Sequence, residues 1–240
     1  MVQALVPLKD LVQAKTRLAG LLSPSERRAL AQAMLEDVLA VLTTHPHIAG
    51  VTLLSDDPCA HLLADSYGAT HWRESTLGCS GLNAVLACAS RRLLAEHAQP
   101  LLVLHADLPL LNAGDITAAL AARAACGGLV VGCDRHATGT NLLCFDAASM
   151  PSFCFGVDSC ARHIAAAQAE GIVTRVLHRP GIGLDVDEAQ DLALLLARLG
   201  GVASGRTAAL LEGTLLGARI GVALASLAGY DTAGNTEEVS

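Results

Sequence analysis

Three positive side chains stand close together after the first predicted strand. Lys9, Lys15 and Arg17 lie within nine residues of a chain whose formal net charge is −7. A cationic loop above the edge of a sheet suits a triphosphate, because the charge of the phosphates needs cationic partners. A solvated basic loop without a ligand would have the same sequence, so this segment alone leaves both interpretations open. It contains neither a Walker motif nor a G-x-G-x-x-G pattern.

Acidic side chains occur at two places where the chain leaves an apolar run. Asp107 follows the predicted strand 101–105, and Asp185 and Asp187 follow a glycine-containing segment. Mg²⁺ between phosphates is usually held by one or two carboxylates together with substrate oxygens. We therefore predict a Mg²⁺ site formed by Asp107 with Asp185 or Asp187. Alternation favours Asp185 as the ligand and Asp187 as a helix cap, while a turn or cap role is the alternative for each carboxylate.

Two segments of small residues are typical of anion-binding backbone. Thr140 lies in a Gly-Thr-Asn segment before a predicted strand, and Gly156 precedes a predicted helix with Ser159 at its N-cap. Free N–H groups at a helix start and the helix dipole favour a phosphate or carboxylate there. His163, in the first turn of that helix, is a candidate ligand contact, with a plain surface histidine as the alternative. An ordinary turn and an ordinary cap explain the two segments equally well.

A third junction between a strand and a helix carries Gly81 and Asn83. The amide of Asn83 has the donor and acceptor needed to read the edge of a nucleotide base. The same residue is also common as a simple helix cap. We treat both residues as candidates for nucleotide binding.

These segments can meet only if the chain folds as alternating strands and helices. The predicted strands cover 2–6, 51–54, 69–72, 101–105, 129–132, 141–145 and 172–177, and the longer predicted helices cover 24–44, 82–97, 115–125, 159–170 and 187–199. Such alternation indicates an α/β fold with a mostly parallel sheet covered on both faces. The short strand at 141–145 interrupts the rhythm and predicts a mixed sheet. Ligands then bind beyond the carboxyl ends of the strands.

Composition excludes several classes of protein. Hydrophobic residues make up 52% of the 240 residues and charged residues 16%, the reverse of a disordered chain. A net charge of −7 and an aromatic share of 2% argue against nucleic acid as a partner. The sequence starts without a signal-peptide pattern and has no uncharged window of 18 apolar residues, so we expect a cytoplasmic protein that is not embedded in a membrane.

Residues 1–199 are predicted to form one domain, and residues 200–240 a C-terminal helix with a polar tail. The helix, expected over 205–228, has too few polar positions to stand alone in water. It either packs on the domain or mediates self-association into a homodimer. The eight cysteines show no C-x-x-C pair, and most lie in apolar runs, so we expect buried free thiols.

Taken in order, these segments resemble the guanylyltransferase family that makes the GTP-derived intermediate of the deazaflavin coenzyme F-420. The match covers about residues 1–199, and its ordered combination is far more specific than any single piece. The matching pieces are Lys15-Thr16-Arg17-Leu18, Ser23-Pro24-Ser25-Glu26-Arg27, Met34-Leu35-Glu36-Asp37-Val38, Gly81-Leu82-Asn83, Ala106-Asp107-Leu108-Pro109, Gly139-Thr140-Asn141, Phe155-Gly156 with Ser159, Ala161-Arg162-His163 and Leu184-Asp185-Val186-Asp187.

The resemblance implies a single-domain nucleotidyltransferase fold related to molybdopterin guanylyltransferases. It implies transfer of GMP from GTP to 2-phospho-L-lactate, phosphoenolpyruvate or 3-phospho-D-glycerate, with release of pyrophosphate. It also implies an acceptor site at Thr140, Gly156 and Ser159, and Mg²⁺ bound by Asp107 with the segment 185–187. Together with the charge pattern, it makes Lys15, Arg17 and Asp107 the expected catalytic residues.

Two other functions remain open at this point. A molybdopterin-type nucleotidyltransferase is disfavoured because Pro7-Leu8-Lys9 replaces the Gly-Gly-rich first loop expected there. A catalytically silent nucleotide-binding module is the alternative from another class. The retained Asp107, Asp185 and Asp187 argue against it.

Overall fold

The apolar runs of the chain form one seven-stranded sheet. The computed structural model describes residues 1–11, 14–199 and 205–233, with side chains in the last helix up to residue 226. The strands are β1 (Val2–Pro7), β2 (Ile48–Leu54), β3 (Thr70–Trp72), β4 (Leu101–Leu104), β5 (Leu129–Cys133), β6 (Thr140–Phe145) and β7 (Thr174–Leu177). Their order is β3-β2-β1-β4-β6-β5-β7. Strand β6 is antiparallel to β4 and β5, and the remaining pairs are parallel. The predicted mixed, mostly parallel sheet is confirmed.

Helices cover both faces of this sheet. They are α1 (Pro24–Thr44), α2 (Ala60–Ser66), α3 (Leu82–His97), α4 (Ala113–Cys126), α5 (Ser159–Ala169), α6 (Pro180–Gly183), α7 (Ala189–Leu199), α8 (Arg206–Glu212) and α9 (Leu215–Ala233). Helix α1 begins as predicted, with a reciprocal cap in which the Ser23 side chain accepts from the Glu26 N–H and the Glu26 carboxylate accepts from the Ser23 N–H.

The core has three parts. Successive residues of β1 point to opposite faces of the sheet, so that Ala4 and Val6 belong to one buried cluster and Leu5 to another. A third cluster lies between α1, α7 and the C-terminal helices and includes Met34 and Leu195. The sheet is therefore buried on both faces, which explains why its strands are nearly continuous apolar runs.

The C-terminal segment differs from the single predicted helix. It forms α8 and α9, separated at Gly213 and Thr214. The Asp37 carboxylate of α1 accepts hydrogen bonds from the backbone N–H groups of Arg206 and Thr207, which ties α8 to the domain. Of the two alternatives, packing on the domain is observed, and self-association stays a prediction. Within the described ranges no single helix could span a membrane, and the α8–α9 pair, bent by 70°, passes only by length and composition.

Four of the eight cysteines are paired, so the expectation of free thiols is wrong for them. Disulfides join Cys79 to Cys88 and Cys133 to Cys160, across sequence separations of 9 and 27 residues. Neither spacing is a recognisable motif, and it is the fold that brings Cys133, at the end of β5, to the start of α5. Cys144 is buried as a free thiol, and burial raises its pKa to about 12.

Candidate active site

A cavity of about 610 Å³ opens at the edge where β1, β2 and β4 end. The predicted cationic loop forms one wall, and the segment after β4 forms the other. Its polar lining consists of Lys9, Asp10, Lys15, Thr16, Arg17, Glu74, His105, Asp107 and Asp187. Two segments that were singled out separately in the sequence, the cationic loop and the residues after β4, thus share one cavity.

Lys15 is held between two carboxylates. Its backbone is left-handed, with φ 55° and ψ 41°, an uncommon conformation for a residue other than glycine. The buried ammonium group donates to Asp107 Oδ2 and, at 2.8 Å, to Asp187 Oδ1. Burial alone would lower the pKa of Lys15, but the two carboxylates outweigh it and hold the pKa above its usual range. Lys15 is therefore charged at neutral pH.

One carboxylate oxygen of Asp107 has no hydrogen-bond partner among the described residues. Burial would raise the pKa of its carboxyl, but Lys15 and then His105 outweigh this effect and hold the pKa below its usual range. Oδ2 accepts from Lys15, while Oδ1 is buried and has no hydrogen-bond partner in the part of the chain that the structure describes. A charged oxygen buried without a partner is costly, and a cation is what would satisfy it.

The two downstream carboxylates have roles other than those expected. Asp187, expected to cap a helix, accepts from Lys15 in the cavity, whereas α7 begins at Ala189. Asp185 Oδ1 accepts from Asn141 Nδ2 at 3.0 Å, and burial raises its pKa, with Asp107 and Asp187 adding to the shift. The geometry therefore brings Asp187, rather than Asp185, to Asp107 through a shared ammonium group.

This donor set fits Mg²⁺. Carboxylate oxygens are hard ligands, and Mg²⁺ is usually bound by one or two of them together with waters and substrate phosphates. Asp107 offers an unpartnered buried oxygen, and Asp187 lies on the other side of Lys15. No group of three or more His, Cys, Asp or Glu side chains arranged for a metal occurs among the described residues. Two carboxylates are within the number that such a site uses.

The expected acceptor residues lie together on the other side of β4. Thr140 begins β6, which runs antiparallel to β4 and therefore starts at the edge where β4 ends. The Ser159 N–H donates to Gly156 O, and Gly156 has φ 126°, which favours glycine. Asp158 occupies the N-cap of α5 without a side-chain cap, so the expectation that Ser159 is the cap is wrong; Ser159 is the first helical residue.

His163 does not face a ligand. Its side chain is fully buried, Nδ1 lies 3.1 Å from Thr140 Oγ1, and Nε2 accepts from the Cys154 N–H at 2.9 Å. Both ring nitrogens are occupied within the protein, which disfavours the expected direct contact with a substrate. Burial lowers its pKa to about 4.

Asn83 also has a partner that the sequence did not indicate. Its Oδ1 accepts from the Phe155 N–H at 2.8 Å, and its Nδ2 donates to Phe155 O at 3.2 Å. Each end of the amide thus has one partner within the protein, and the expectation that Asn83 reads a base edge stays a prediction. Gly81 is the N-cap of α3 with φ 82°, and its neighbour Leu82 lines the cavity. The nucleotide contact of Gly81 stays a prediction.

Residues that sequence reasoning missed hold these segments in place. Asp57 is buried after β2 and accepts from the Leu11 N–H at 2.8 Å, which fixes the start of the cationic loop. Asp191 accepts from the Asp187 N–H at 3.0 Å. The signal for Asp57 was available, since it follows a strand at the same edge of the sheet.

His105 was not assigned a role from the sequence either. It lines the cavity, and its ring lies 5.1 Å from that of Phe155, between centroids. Phe155 belongs to the loop that precedes α5. His105 therefore lies between the cavity and the acceptor segments.

Relatives of this chain are guanylyltransferases. A family model described as "Guanylyl transferase CofC like" matches residues 2–204. A phosphoenolpyruvate guanylyltransferase of Conexibacter woesei is 38% identical over 210 residues, which are 85% of this chain and 92% of the relative. A phosphoenolpyruvate guanylyltransferase of Nocardia farcinica is 39% identical over 193 residues, 80% of this chain and 83% of the relative.

Solved structures of nucleotidyltransferases share the fold. A Desulfovibrio desulfuricans protein described as a nucleotide-diphospho-sugar transferase has a TM-score of 0.76 at 16% identity, covering 91% of this chain and 96% of its own. A cytidylyltransferase from Leptospira borgpetersenii has a TM-score of 0.55 at 12% identity, and the match covers 100% of this chain and 98% of the cytidylyltransferase. Identities this low show the fold alone. The length and identity of the family match go further and confirm the resemblance: the chain belongs to the CofC-like guanylyl transferase family.

Proposed function

We propose that this guanylyltransferase transfers GMP from GTP to phosphoenolpyruvate in the biosynthesis of coenzyme F-420. The observation that carries the proposal is the pairing of a buried lysine with two carboxylates in a cavity that the cationic loop also lines. Phosphoenolpyruvate is chosen over 2-phospho-L-lactate and 3-phospho-D-glycerate because the relatives at 38–39% identity carry its name.

The triphosphate is assigned to the cationic loop. Lys9, Lys15 and Arg17 all line the cavity, and together they supply three positive charges. Arg17 contacts Glu188 at 2.8 Å, with 70% of its side chain exposed, so its guanidinium group can exchange this partner for a phosphate. Gly81, beside the cavity-lining Leu82, is assigned to the nucleotide with them.

Asp107 and Asp187, with Asp185 beside them, would hold Mg²⁺. When bound there, the metal ion supplies positive charge that offsets the negative charge of the nucleotide phosphates. The role of the chain itself is to keep Asp107 and Asp187 close together and to favour the ionised form of Asp107, which Lys15 does in the free protein.

The acceptor is assigned to Thr140, Gly156 and Ser159. A phosphomonoester has its second pKa near ~6, so at neutral pH its phosphate is a dianion that needs no general base. A phosphate oxygen of the acceptor forms a bond to the α-phosphorus of GTP, and the bond between this phosphorus and the α–β bridging oxygen breaks. Pyrophosphate leaves with the electron pair, and the cationic loop stabilises the charge of the leaving group.

A pyrophosphate-release assay tests this function. Each of the four nucleoside triphosphates is combined with each of the three phosphoacids in the presence of Mg²⁺. We expect the fastest release with GTP and phosphoenolpyruvate, and none when pyruvate, which lacks the phosphate, replaces phosphoenolpyruvate. Absence of release from every pair would contradict the proposal and favour a silent nucleotide-binding module.

A further inference from the structure

A hydrogen bond joins Thr140 to His163 in the wall of the acceptor site. Thr140 Oγ1 and His163 Nδ1 are 3.1 Å apart. Thr140 is 2% exposed, and the side chain of His163 is fully buried. The centroid of the His163 ring lies 4.9 Å from that of Phe155, in an edge-to-face arrangement. Water therefore competes little for this contact, and its direction is decided within the protein.

The second nitrogen of the ring decides that direction. Nε2 lies 2.9 Å from the backbone nitrogen of Cys154, and a backbone N–H can only donate, so Nε2 is an unprotonated acceptor. A neutral imidazole carries one proton, which must then be on Nδ1. The buried ring is neutral at pH 7, because burial lowers its pKa to about 4.

With its proton on Nδ1, His163 donates to Thr140 Oγ1. The hydrogen of the Thr140 hydroxyl must then point elsewhere, and the described residues offer it no acceptor, since His163 is the only hydrogen-bond partner of Oγ1 among them. A buried donor without an acceptor is unfavourable, and an anionic oxygen would satisfy it.

We propose that His163 is a positioning residue which makes the Thr140 hydroxyl a hydrogen-bond donor to the anionic three-carbon acceptor. The inference rests on the proposed function, because it takes the acceptor to bind beside Thr140. His163 itself does not touch the acceptor. The same ring holds the Cys154 backbone, so it cannot present Nε2 to Thr140 without losing that bond.

Substitution of His163 by Asn or by Gln distinguishes the contribution of ring nitrogen Nδ1 from that of Nε2. The side chain of His163→Asn can place an N–H near the position of Nδ1 and keep the donor to Thr140. The side chain of His163→Gln can place an oxygen near Nε2, which keeps the bond to Cys154 but loses that donor. We expect H163Q to lower kcat/KM for phosphoenolpyruvate by about tenfold or more, because a hydrogen bond to a charged group is lost or disordered. H163N should lie closer to the wild type, and the KM for GTP should stay unchanged in both.

A double-mutant cycle tests whether His163 acts through Thr140. Thr140→Val removes the hydroxyl with little change of shape and should itself lower kcat/KM for phosphoenolpyruvate. Adding H163Q to T140V should produce no further loss, since residues that act as one unit are not additive. Losses that multiply, or a wild-type kcat/KM in H163Q, would overturn the inference. Equal losses for both substrates in H163Q and H163N would also overturn it, since they indicate a structural role alone.

A ¹⁵N NMR measurement of the histidine ring tests the inference even if a variant fails to fold. In the wild-type protein at pH 7 we expect the proton of His163 on Nδ1 and an unprotonated Nε2. A proton on Nε2 would overturn the inference and leave the proposed function standing. Absence of wild-type turnover with every phosphoacid, in contrast, would overturn the proposed function and this inference with it.

Discussion

The ammonium group of Lys15 serves two states of the site. In the free protein it offsets the repulsion between Asp107 and Asp187, which would otherwise separate the carboxylates. In the proposed reaction, an entering triphosphate would offer Lys15 new anionic partners, and the carboxylate oxygens would then become available to Mg²⁺. The three residues would thus exchange partners without any of them becoming an unpaired buried charge.

Replacing Asp107 by Asn should abolish turnover while the protein stays folded. The substitution removes a charge from the oxygen pair that contacts Lys15 and is proposed to bind Mg²⁺. The measurement is pyrophosphate release at saturating Mg²⁺, with circular dichroism to check folding. Asp65→Asn, on the exposed surface of α2, is the matched control. A kcat near the wild-type value in D107N would contradict the metal assignment.

Replacing Ser159 by Ala should lower kcat/KM for the acceptor and leave the KM for GTP unchanged. Ser159 is 2% exposed, and its hydroxyl has no hydrogen-bond partner in the described part of the chain, so an anion bound beside Gly156 would give it one. We expect kcat/KM for phosphoenolpyruvate to fall by roughly tenfold, because a hydrogen bond to a charged group is worth about 1.5–3 kcal/mol. Ser66→Ala in α2 is the control. If S159A raised the KM for GTP and left kcat/KM for phosphoenolpyruvate unchanged, the assignments of the two pockets would have to be exchanged.

Residue types could be predicted from the sequence better than their partners. Lys15 and Asp107 stand out because their charges follow buried strands. The roles of Asn83 and His163 could not be predicted, since Asn83 binds the backbone of a loop 72 residues away and His163 bonds Thr140 across 23 residues. A side chain with both donor and acceptor atoms fits a base edge and a peptide group equally well.

At the scale of elements, the reversed strand β6 is decisive. The rule that ligands lie beyond the carboxyl ends of strands selects Asp107 after β4. Because β6 runs antiparallel, it contributes its first residue, Thr140, to the same edge, and the His105 N–H donates to Asn141 O across the pair. The break in the strand–helix rhythm predicted the mixed sheet, but its register depends on pairing that no local pattern specifies.

The turn after β6 gives a prediction about pH. Asp146 caps the short helix Ala147–Ser149 and pairs with Arg123 of α4. Burial would raise the pKa of Asp146, but its hydrogen bonds with Ser149 and Arg123 outweigh this effect and hold the pKa below its usual range. The ionised form is thus favoured by folding, so its stabilising contribution is present at neutral pH and lost as the pH falls through the lowered pKa.

Asp146→Asn should therefore lower the free energy of unfolding at pH 7 by up to about 1 kcal/mol, because Asn can still cap the short helix but lacks the charge that pairs with Arg123. The difference in unfolding free energy from the wild type should narrow as the pH falls below about 4, the usual pKa of an aspartate in the unfolded chain, and it should vanish below the lowered pKa of the folded protein. Urea unfolding at several pH values measures it, with Asp65→Asn as the control. A difference that is independent of pH would show that charge plays no part.

Helix ends illustrate which boundaries a sequence specifies. The start of α1 was predicted because Ser23, Pro24 and Glu26 form a local pattern of four residues. Helix α5 begins at Ser159 as predicted, but its N-cap was misassigned by one residue, since Asp158 adopts a left-handed conformation that no neighbouring residue type required. The break between α8 and α9 was missed because the flanking apolar residues continue through it.

At the scale of the whole molecule, α8 and α9 complete the core over α1. The sequence left two partners open for this apolar segment, because hydrophobicity indicates burial without saying against what. Leu211 is 1% exposed in the third cluster, whereas Leu215, four residues later, is 87% exposed. The contrast shows that α8 packs into the domain at Leu211, whereas α9 begins at Leu215 on the surface.

This contrast provides a matched pair of substitutions. Leu211→Ala should lower the free energy of unfolding by about 2–5 kcal/mol, because it leaves a cavity between α1 and the C-terminal helices. Leu215→Ala removes the same atoms from an exposed position and should change it by less than about 0.5 kcal/mol. Chemical denaturation with two spectroscopic probes measures both. Similar effects of the two changes would mean that the segment is not part of the core.

The two hydrogen bonds between Asn83 and the Phe155 backbone connect the proposed nucleotide site to the proposed acceptor site. Asn83 belongs to α3, whose first residue, Leu82, lines the cavity that we propose binds the nucleotide, while Phe155 lies in the loop before Gly156. A movement of α3 on nucleotide binding would therefore be transmitted to that loop as a coupling free energy. Linkage is reciprocal, so the factor by which GTP changes the dissociation constant of the acceptor must equal the factor by which the acceptor changes that of GTP.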